Sequence, residues 1–323
     1  MSSKLISIVV PCHNEEKNLP ILLGKLLDII PSVNAEDSTP RYTFELIIID
    51  DGSQDETLGK ARLLAQESHL LPIRYASFSR NFGKEAALFA GLTMAKGDYV
   101  VTMDADMQDP PSLLPKMISI IEKEGCDSVA TRRVTRKGEP PIRSLCARIF
   151  YKLINSISDT EIMDGARDYR LMTRQMVEAV LSIGEYNRFS KGIFSWVGFK
   201  TTWIEFENAQ RLAGESSWSF LSLLLYSIEG ITAFSTVPLQ LASIAGILLF
   251  MFALALGLVI VAKTLLFGDP VSGWPSLACL VLFVGGLQLL CVGIMGQYLA
   301  KTYMETKHRP IYILKETNDD NER

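Results

Sequence analysis

The chain has 323 residues, 48% of them hydrophobic and 21% charged, with a formal net charge of −4 at pH 7, which is more apolar surface than one soluble domain of ordinary size needs. A balanced, mildly acidic charge, with a pI of about 5.6, argues against nucleic acid as the main partner. The five cysteines, Cys12, Cys126, Cys146, Cys279 and Cys291, are odd in number and lack metal-ligand spacing, as expected of reduced structural thiols in a cytosolic compartment.

The N-terminus runs directly into a strand pattern, so no signal peptide is expected. Residues 5–10 are a continuous apolar run ending at Pro11, the pattern of a strand buried on both faces. Leu19, Leu22, Leu23, Leu26, Leu27 and Ile30 then recur at helical spacing. Residues 44–49 form a second buried strand, followed by DDGSQDET, in which Ser53 and Glu56 make a capping-box pattern for a helix over 55–67. Residues 73–77 read as a third strand, 83–95 as a helix, 98–103 as a fourth strand and 113–124 as a further helix. Alternating strands and helices imply a mostly parallel α/β sheet with ligands at the carboxyl ends of the strands.

That placement gives four polar loops one address. Asn14 and Glu15 follow the first strand, Asp50 and Asp51 the second, Arg80 and Lys84 the third, and Asp104 and Asp106 the fourth. Each has an ordinary explanation: turn residues for Asp50 and Asp51, a first-turn helix acid for Glu15, a solvated helix start for Arg80 and Lys84. Their succession on one rim also suits a binding site. In VVTMDADMQDPP, alternation points Asp104 and Asp106 the same way. Two like charges that close call for a cation between them, and hard oxygen ligands suit Mg²⁺ or Mn²⁺. The other reading of the stretch is a surface loop in which Asp109 caps the helix begun by Pro110.

Residues 237–262 and 275–300 are uncharged runs of 26 residues each, longer than the roughly 20 needed to cross a bilayer core. The loop between them carries one Lys and one Asp, whereas Lys301, Lys307, Arg309 and Lys315 follow the second run. The positive-inside rule therefore expects a multi-pass protein of the plasma (inner) membrane, with the catalytic domain and both termini cytoplasmic. Ile142, Leu145, Cys146, Ile149, Phe150, Leu153, Ile154 and Ile157 form one helical stripe, with Arg143, Arg148 and Lys152 off it. Such a helix suits either the headgroup region or packing on the sheet. Residues 216–231, with Trp218, Phe220, Leu224 and Ile228, are a second such case. Gly285, Gly286, Gly293 and Gly296 permit close helix packing, and so a homo-oligomer, without requiring one. The expected organisation is a catalytic domain over 1–215, a juxtamembrane amphipathic segment over 216–235, two transmembrane helices over 236–300 and a cytoplasmic tail over 301–323.

VVPCHNEE, IIIDDGSQDET, RNFGKEAAL and MDADMQDPP, in this order and spacing, resemble the family 2 glycosyltransferases with a GT-A fold. DYRLMTR, RFSKGIFSWVGF, QRLAGESSW and the two C-terminal runs are similar to the polyisoprenyl-phosphate glycosyltransferases, the bactoprenol glucosyltransferase and dolichyl-phosphate mannose synthase group. The resemblance implies inverting, metal-dependent transfer of a sugar from a nucleotide sugar, with UDP-glucose favoured over UDP-N-acetylglucosamine or another donor, to polyprenyl (undecaprenyl) phosphate. It places the Mg²⁺ or Mn²⁺ site at Asp104, Asp106 and Gln108, and nucleotide binding at Pro11, Asn14, Glu15, Asp51, Lys84 and Asp104. Asp104, Asp106 and Asp168 become the catalytic candidates, Arg132 and Arg143 the acceptor-phosphate residues, and Arg211 a basic residue on a loop near the diphosphate. A structural Asp168, paired with Arg167 or Arg170, is the competing reading. Two departures stand out: Ala147 replaces a serine of the mannose synthases, and Arg167 replaces the glycine of the bactoprenol enzymes' GDFRL. A processive polysaccharide synthase is disfavoured by the missing Q-x-x-R-W and by only two spans. A silent membrane-anchored nucleotide-sugar binder is disfavoured by the intact acidic and basic motifs.

Overall fold

The computed structural model describes residues 3–34, 41–133, 155, 163, 165–206, 235–267 and 273–319. Both expected amphipathic membrane-facing stretches, Arg143 and Arg211 lie outside the described residues. Strands β1 (Lys4–Cys12), β2 (Tyr42–Asp50), β3 (Ile73–Phe78) and β4 (Tyr99–Thr102) alternate with helices α1 (Asn18–Val33), α2 (Thr57–Glu67) and α3 (Lys84–Met94). A 3₁₀ turn (Pro111–Leu113) and α4 (Leu114–Glu124) lead to β5 (Ser128–Arg133). Then come β6 (Ala166–Thr173), α5 (Arg174–Ser182), α6 (Ser190–Trp196), β7 (Thr201–Phe206), two long helices α7 (Val237–Phe267) and α8 (Trp274–Thr306), and β8 (Leu314–Thr317).

The eight strands form one sheet in the order β7-β5-β6-β4-β1-β2-β3-β8. β3, β2, β1 and β4 are mutually parallel, whereas β6 enters antiparallel between β4 and β5. The central strands are apolar on both faces because both are covered. Ile6, Ile8, Val10 and Ile48 pack under α1 and α4, and Val9, Ile47 and Ile49 under α3 and α5.

The sequence expectation for the first four strands holds, with one shortening. β4 ends at Thr102, so Asp104 and Asp106 lie in the turn after it; Met107 has a φ of +59° there. Side-chain alternation nevertheless persists, with Met103, Ala105 and Met107 buried and Asp104, Asp106 and Gln108 half-buried. The expected capping box is not formed. Ser53 accepts the Asn14 N–H instead, and Asp55 takes the Thr57 N–H.

α7 and α8 contain windows, Val237–Val259 and Phe283–Thr306, long and apolar enough to cross a membrane. Most of their described side chains are exposed, as Phe250 at 66% and Leu289 at 74%. Two uncovered apolar helices of this length are candidate membrane spans.

Of residues 301–323, expected as a tail, 301–319 are described, and they begin as the end of α8 and return to the sheet as β8, antiparallel to β3. Tyr312 stacks on Phe78 at 4.9 Å, Arg62 pairs with Glu316, and buried Asp319 pairs with Arg74. Arg74 in turn bonds buried Glu45, itself held by Ser7 at 2.5 Å. Cutting Tyr312→Ala removes an aromatic stack and half-buried apolar area, an expected cost of about 2 kcal/mol. The check is thermal unfolding of the full-length protein in detergent; an unchanged midpoint would show that the Tyr312 stack contributes no stability.

Candidate active site

The rim over the carboxyl ends of β1, β2, β3 and β4 is built by loops that hold one another. Asn14 (φ +59°) donates its N–H to Ser53 Oγ at 2.9 Å and accepts the Gln54 N–H at 2.9 Å. Glu15 donates its N–H to Thr57 Oγ1 at 2.8 Å and accepts from Asn18 at 2.6 Å, and Glu16 accepts the Glu56 N–H at 3.1 Å. Pro11, the next-to-last residue of β1, pairs opposite Ile49 below these loops. The expected nucleotide residues therefore form a preassembled platform, with exposed His13 against the backbone oxygen of Asp51 at 3.0 Å.

Asp51 is buried, and both its oxygens are taken by the next loop: Oδ1 accepts from Phe82 N at 2.6 Å and Oδ2 from Gly83 N at 2.9 Å. Burial raises its pKa, and these two amides oppose the rise. Gly52 is required beside it, because at its φ of +63° a Cβ would lie 2.4 Å from the Arg80 carbonyl carbon. Asp50, also buried, accepts from Ser77 Oγ at 2.6 Å.

The loop that Asp51 clamps delivers Lys84 at the start of α3. Its ammonium lies 2.7 Å from Asp104 Oδ1 and 2.6 Å from Asp168 Oδ2. Asp168 thus pairs with Lys84, not with Arg167 or Arg170 as its structural reading expected. Burial works against the charge on Asp168, but Lys84, with Lys191 and Arg167 behind it, holds its carboxyl well below the usual carboxylate range. Burial likewise works against Lys84, and Asp104 and Asp168 overcome it and raise its pKa.

Arg167, the departure from GDFRL, braces the loop after Asp106. Its Nε donates to Asp109 at 2.8 Å and its NH2 to Gln108 Oε1 at 3.2 Å. Asp109 is 1% exposed, so it is a buried ion-pair partner rather than a solvated helix cap. The Gln108 side-chain oxygen, expected at a metal, faces Arg167 instead, while its N–H donates to Asp106 Oδ1 at 3.1 Å. Glu85 was not singled out from the sequence. It accepts the Ser190 N–H at 2.9 Å and the Ser190 hydroxyl, tying α6 to the residue next to Lys84.

Arg132 stands apart on β5, paired with Glu205 of β7 and close to Met163 Sδ at 3.3 Å. Thr102 and Ala130 both pair with Arg170, but the ladder slips beyond Ala130 and Arg132 pairs with Ala166, so Arg132 stands two strand spacings, roughly 10 Å, across the sheet from Asp104 and further along the strand direction. Asp168 stands on the strand between them.

Asp104 and Asp106 offer only hard oxygen donors, and the Lys84 ammonium already marks a cation position beside Asp104. Among the described residues no cluster of three or more His, Cys, Asp or Glu side chains is gathered for a metal. This donor set fits an ion held by one or two carboxylates and completed by substrate phosphates, rather than an all-protein cage.

An acidic and basic rim at the carboxyl ends of parallel strands, beside the β1/β4 point where the strand order reverses, is where open α/β enzymes bind their ligands. The family model for glycosyl transferase family 2 matches residues 7–181. The putative glycosyltransferase CsbB of Bacillus subtilis is 41% identical over 321 residues, covering 99% of this chain and 94% of the relative. The bactoprenol glucosyl transferase of Shigella phage SfV is 40% identical over 311 residues, covering 96% and 98%. Glucosyl-3-phosphoglycerate synthase from Mycobacterium tuberculosis, solved with Mn²⁺, UDP-glucose and phosphoglyceric acid, aligns with a TM-score of 0.46 at 20% identity over 71% of this chain and 78% of that one. The chain belongs to glycosyltransferase family 2. Its catalytic domain has the GT-A-like α/β fold, and the protein is an enzyme of glycosyl transfer.

The depressed Asp168 pKa sets a pH dependence. Such a pair stabilises the fold above the unfolded carboxylate pKa of about 3.9, and the contribution is lost as pH falls from there through the folded value. Asp168→Asn is therefore expected to lower the melting temperature at pH 7 and to cost progressively less below pH 4. A penalty that grew on acidification would contradict the Lys84–Asp168 assignment.

Proposed function

We propose that this enzyme transfers glucose from UDP-glucose to the phosphate of a polyprenyl lipid, inverting the anomeric carbon, at the cytoplasmic face of the plasma membrane. The observation that carries this reading is the Lys84 bridge between Asp104 and Asp168, on a sheet whose last strand follows directly from a helix of membrane length. Relatives named bactoprenol glucosyl transferase, about 40% identical across nearly their whole length, support the acceptor and the sugar. An even number of crossings is what returns the chain from α8 to β8, and the basic residues after α8 support a cytoplasmic side.

In this mechanism the platform of Pro11, Asn14, Glu15 and Asp51 seats the nucleoside, and Lys84 faces its diphosphate. A divalent ion, Mg²⁺ or Mn²⁺, would neutralise charge on the departing diphosphate, held by Asp104 and Asp106 while Arg167 keeps Gln108 and its loop in place. A lipid monophosphate has a second pKa of about 6, so little base strength is needed. Asp168, kept ionised by Lys84, stays a carboxylate beside the reacting groups and steadies the Lys84 ammonium on the rim. Arg132 and Arg143 present guanidinium forks to the acceptor phosphate, and Arg211 serves the diphosphate. The phosphate oxygen attacks the anomeric carbon from the face opposite the diphosphate, forming one C–O bond as the other breaks.

Membranes holding the protein, a labelled nucleotide-sugar panel, Mg²⁺ or Mn²⁺ and undecaprenyl phosphate are expected to yield an organic-extractable labelled lipid, most from UDP-glucose. No product with any donor overturns the reaction, and a preference for UDP-N-acetylglucosamine replaces the sugar while keeping it. Asp106→Asn is expected to lower transfer about 100-fold, near 3 kcal/mol, with membrane insertion intact. Near-normal turnover would remove the metal role. Arg132→Ala is expected to raise the acceptor KM about tenfold with the donor KM little changed, as loss of a charge-assisted phosphate contact does.

A further inference from the structure

Glu305 is an acid on the last turn of α8, at the end of the apolar window Phe283–Thr306. It is half-buried, and its carboxylate is committed to the catalytic domain. Oε1 accepts from Tyr186 N at 3.0 Å and Asn187 N at 3.2 Å, and Oε2 from Tyr186 N at 3.1 Å. A carboxylate spanning two consecutive backbone amides is a charge-assisted anchor with a defined direction.

The loop it holds is itself tied to the site. Arg188, the next residue, is buried; its guanidinium lies 4.4 Å from the Phe89 ring centre and donates to the carbonyls of Ile183 and Val180. Ser190 then engages Glu85, whose neighbour Lys84 bridges Asp104 and Asp168. At the other end, the Tyr298 hydroxyl donates to the Ser235 carbonyl at 2.6 Å, pinning the bases of α7 and α8 together. Glu305 is about 10 Å further along α8 at 1.5 Å per residue. Beyond it the chain turns at His308 (φ +47°) and joins the sheet through Tyr312 and β8.

We propose that Glu305 is a positioning residue that sets the height and tilt of the catalytic rim over the bilayer, so that a phosphate carried by a membrane-embedded lipid meets the Lys84 cluster. This rests on the lipid-phosphate acceptor proposed above. The headgroup of such a lipid is confined to the interface and cannot climb to a misplaced rim, and small misplacements cost rate steeply. An acceptor free in solution reaches the rim at any height.

The test compares full-length wild type, Glu305→Ala and Glu305→Gln in nanodiscs, with undecaprenyl phosphate in the bilayer or a short water-soluble prenyl phosphate as acceptor. For Glu305→Ala, kcat/KM on the bilayer acceptor is expected to fall about tenfold and on the soluble one less than about twofold, the scale of lost hydrogen bonds to a charged acceptor. UDP affinity is expected to stay unchanged, and amide exchange at Tyr186 and Asn187 to accelerate. Glu305→Gln keeps one acceptor oxygen and is expected to lose less. Equal losses on both acceptors, or loss of UDP binding, would assign a general structural role and overturn the proposal. Unchanged exchange at the two amides overturns the docking contact itself. A wild type inactive on both acceptors overturns the reaction and the positioning role with it, while the exchange measurement still decides the contact.

Discussion

One ammonium between two carboxylates holds the catalytic rim together. Asp104 follows β4 and Asp168 belongs to the neighbouring antiparallel β6, and both face Lys84 at ion-pair distance. Without a positive charge there, two acids on adjacent strands would repel in a partly buried setting. Lys84 reaches them because Gly83 (φ +97°) turns the chain into α3, and the turn is fixed by Asp51 from β2. Three strand ends are thereby made to depend on a single charge.

The other polar residues of the rim repeat this economy on a smaller scale. Asn14 and Glu15 interlock with Ser53 and Thr57, and Arg167 fastens Asp109 and Gln108. Each loop spends its polar groups on a neighbouring loop, so the surface offered to a nucleotide exists before a nucleotide arrives. Preorganised sites lose less conformational freedom on binding.

The parallel half of the sheet was legible because buried parallel strands are continuous apolar runs and their loops carry the polar residues. The antiparallel half was not. β5, β6 and β7 mix small, charged and apolar residues, as in SVATRR and ARDYRLMT, without a clean period of two or 3.6. The Asp168 partner was misplaced for a related reason: Arg167 and Arg170 are near in sequence, whereas Lys84 is near only once β6 enters beside β4. Arg170 points elsewhere, with its guanidinium 3.8 Å from the Phe194 ring centre. β8 did leave a signal, the run Ile311, Tyr312, Ile313 and Leu314 after the second apolar helix, but its partner strand lies far back in the chain.

That distance bears on how the protein is made. β3 is complete early in synthesis, yet its outer edge stays open until β8 emerges, and 241 residues separate Tyr75 from its partner Glu316. At about 5–20 residues per second the interval is some tens of seconds. An unpaired strand edge is a template for wrong partners throughout that time. Both long apolar helices are translated before β8, so the catalytic sheet is completed only after the chain has been made through the membrane-length helices and beyond.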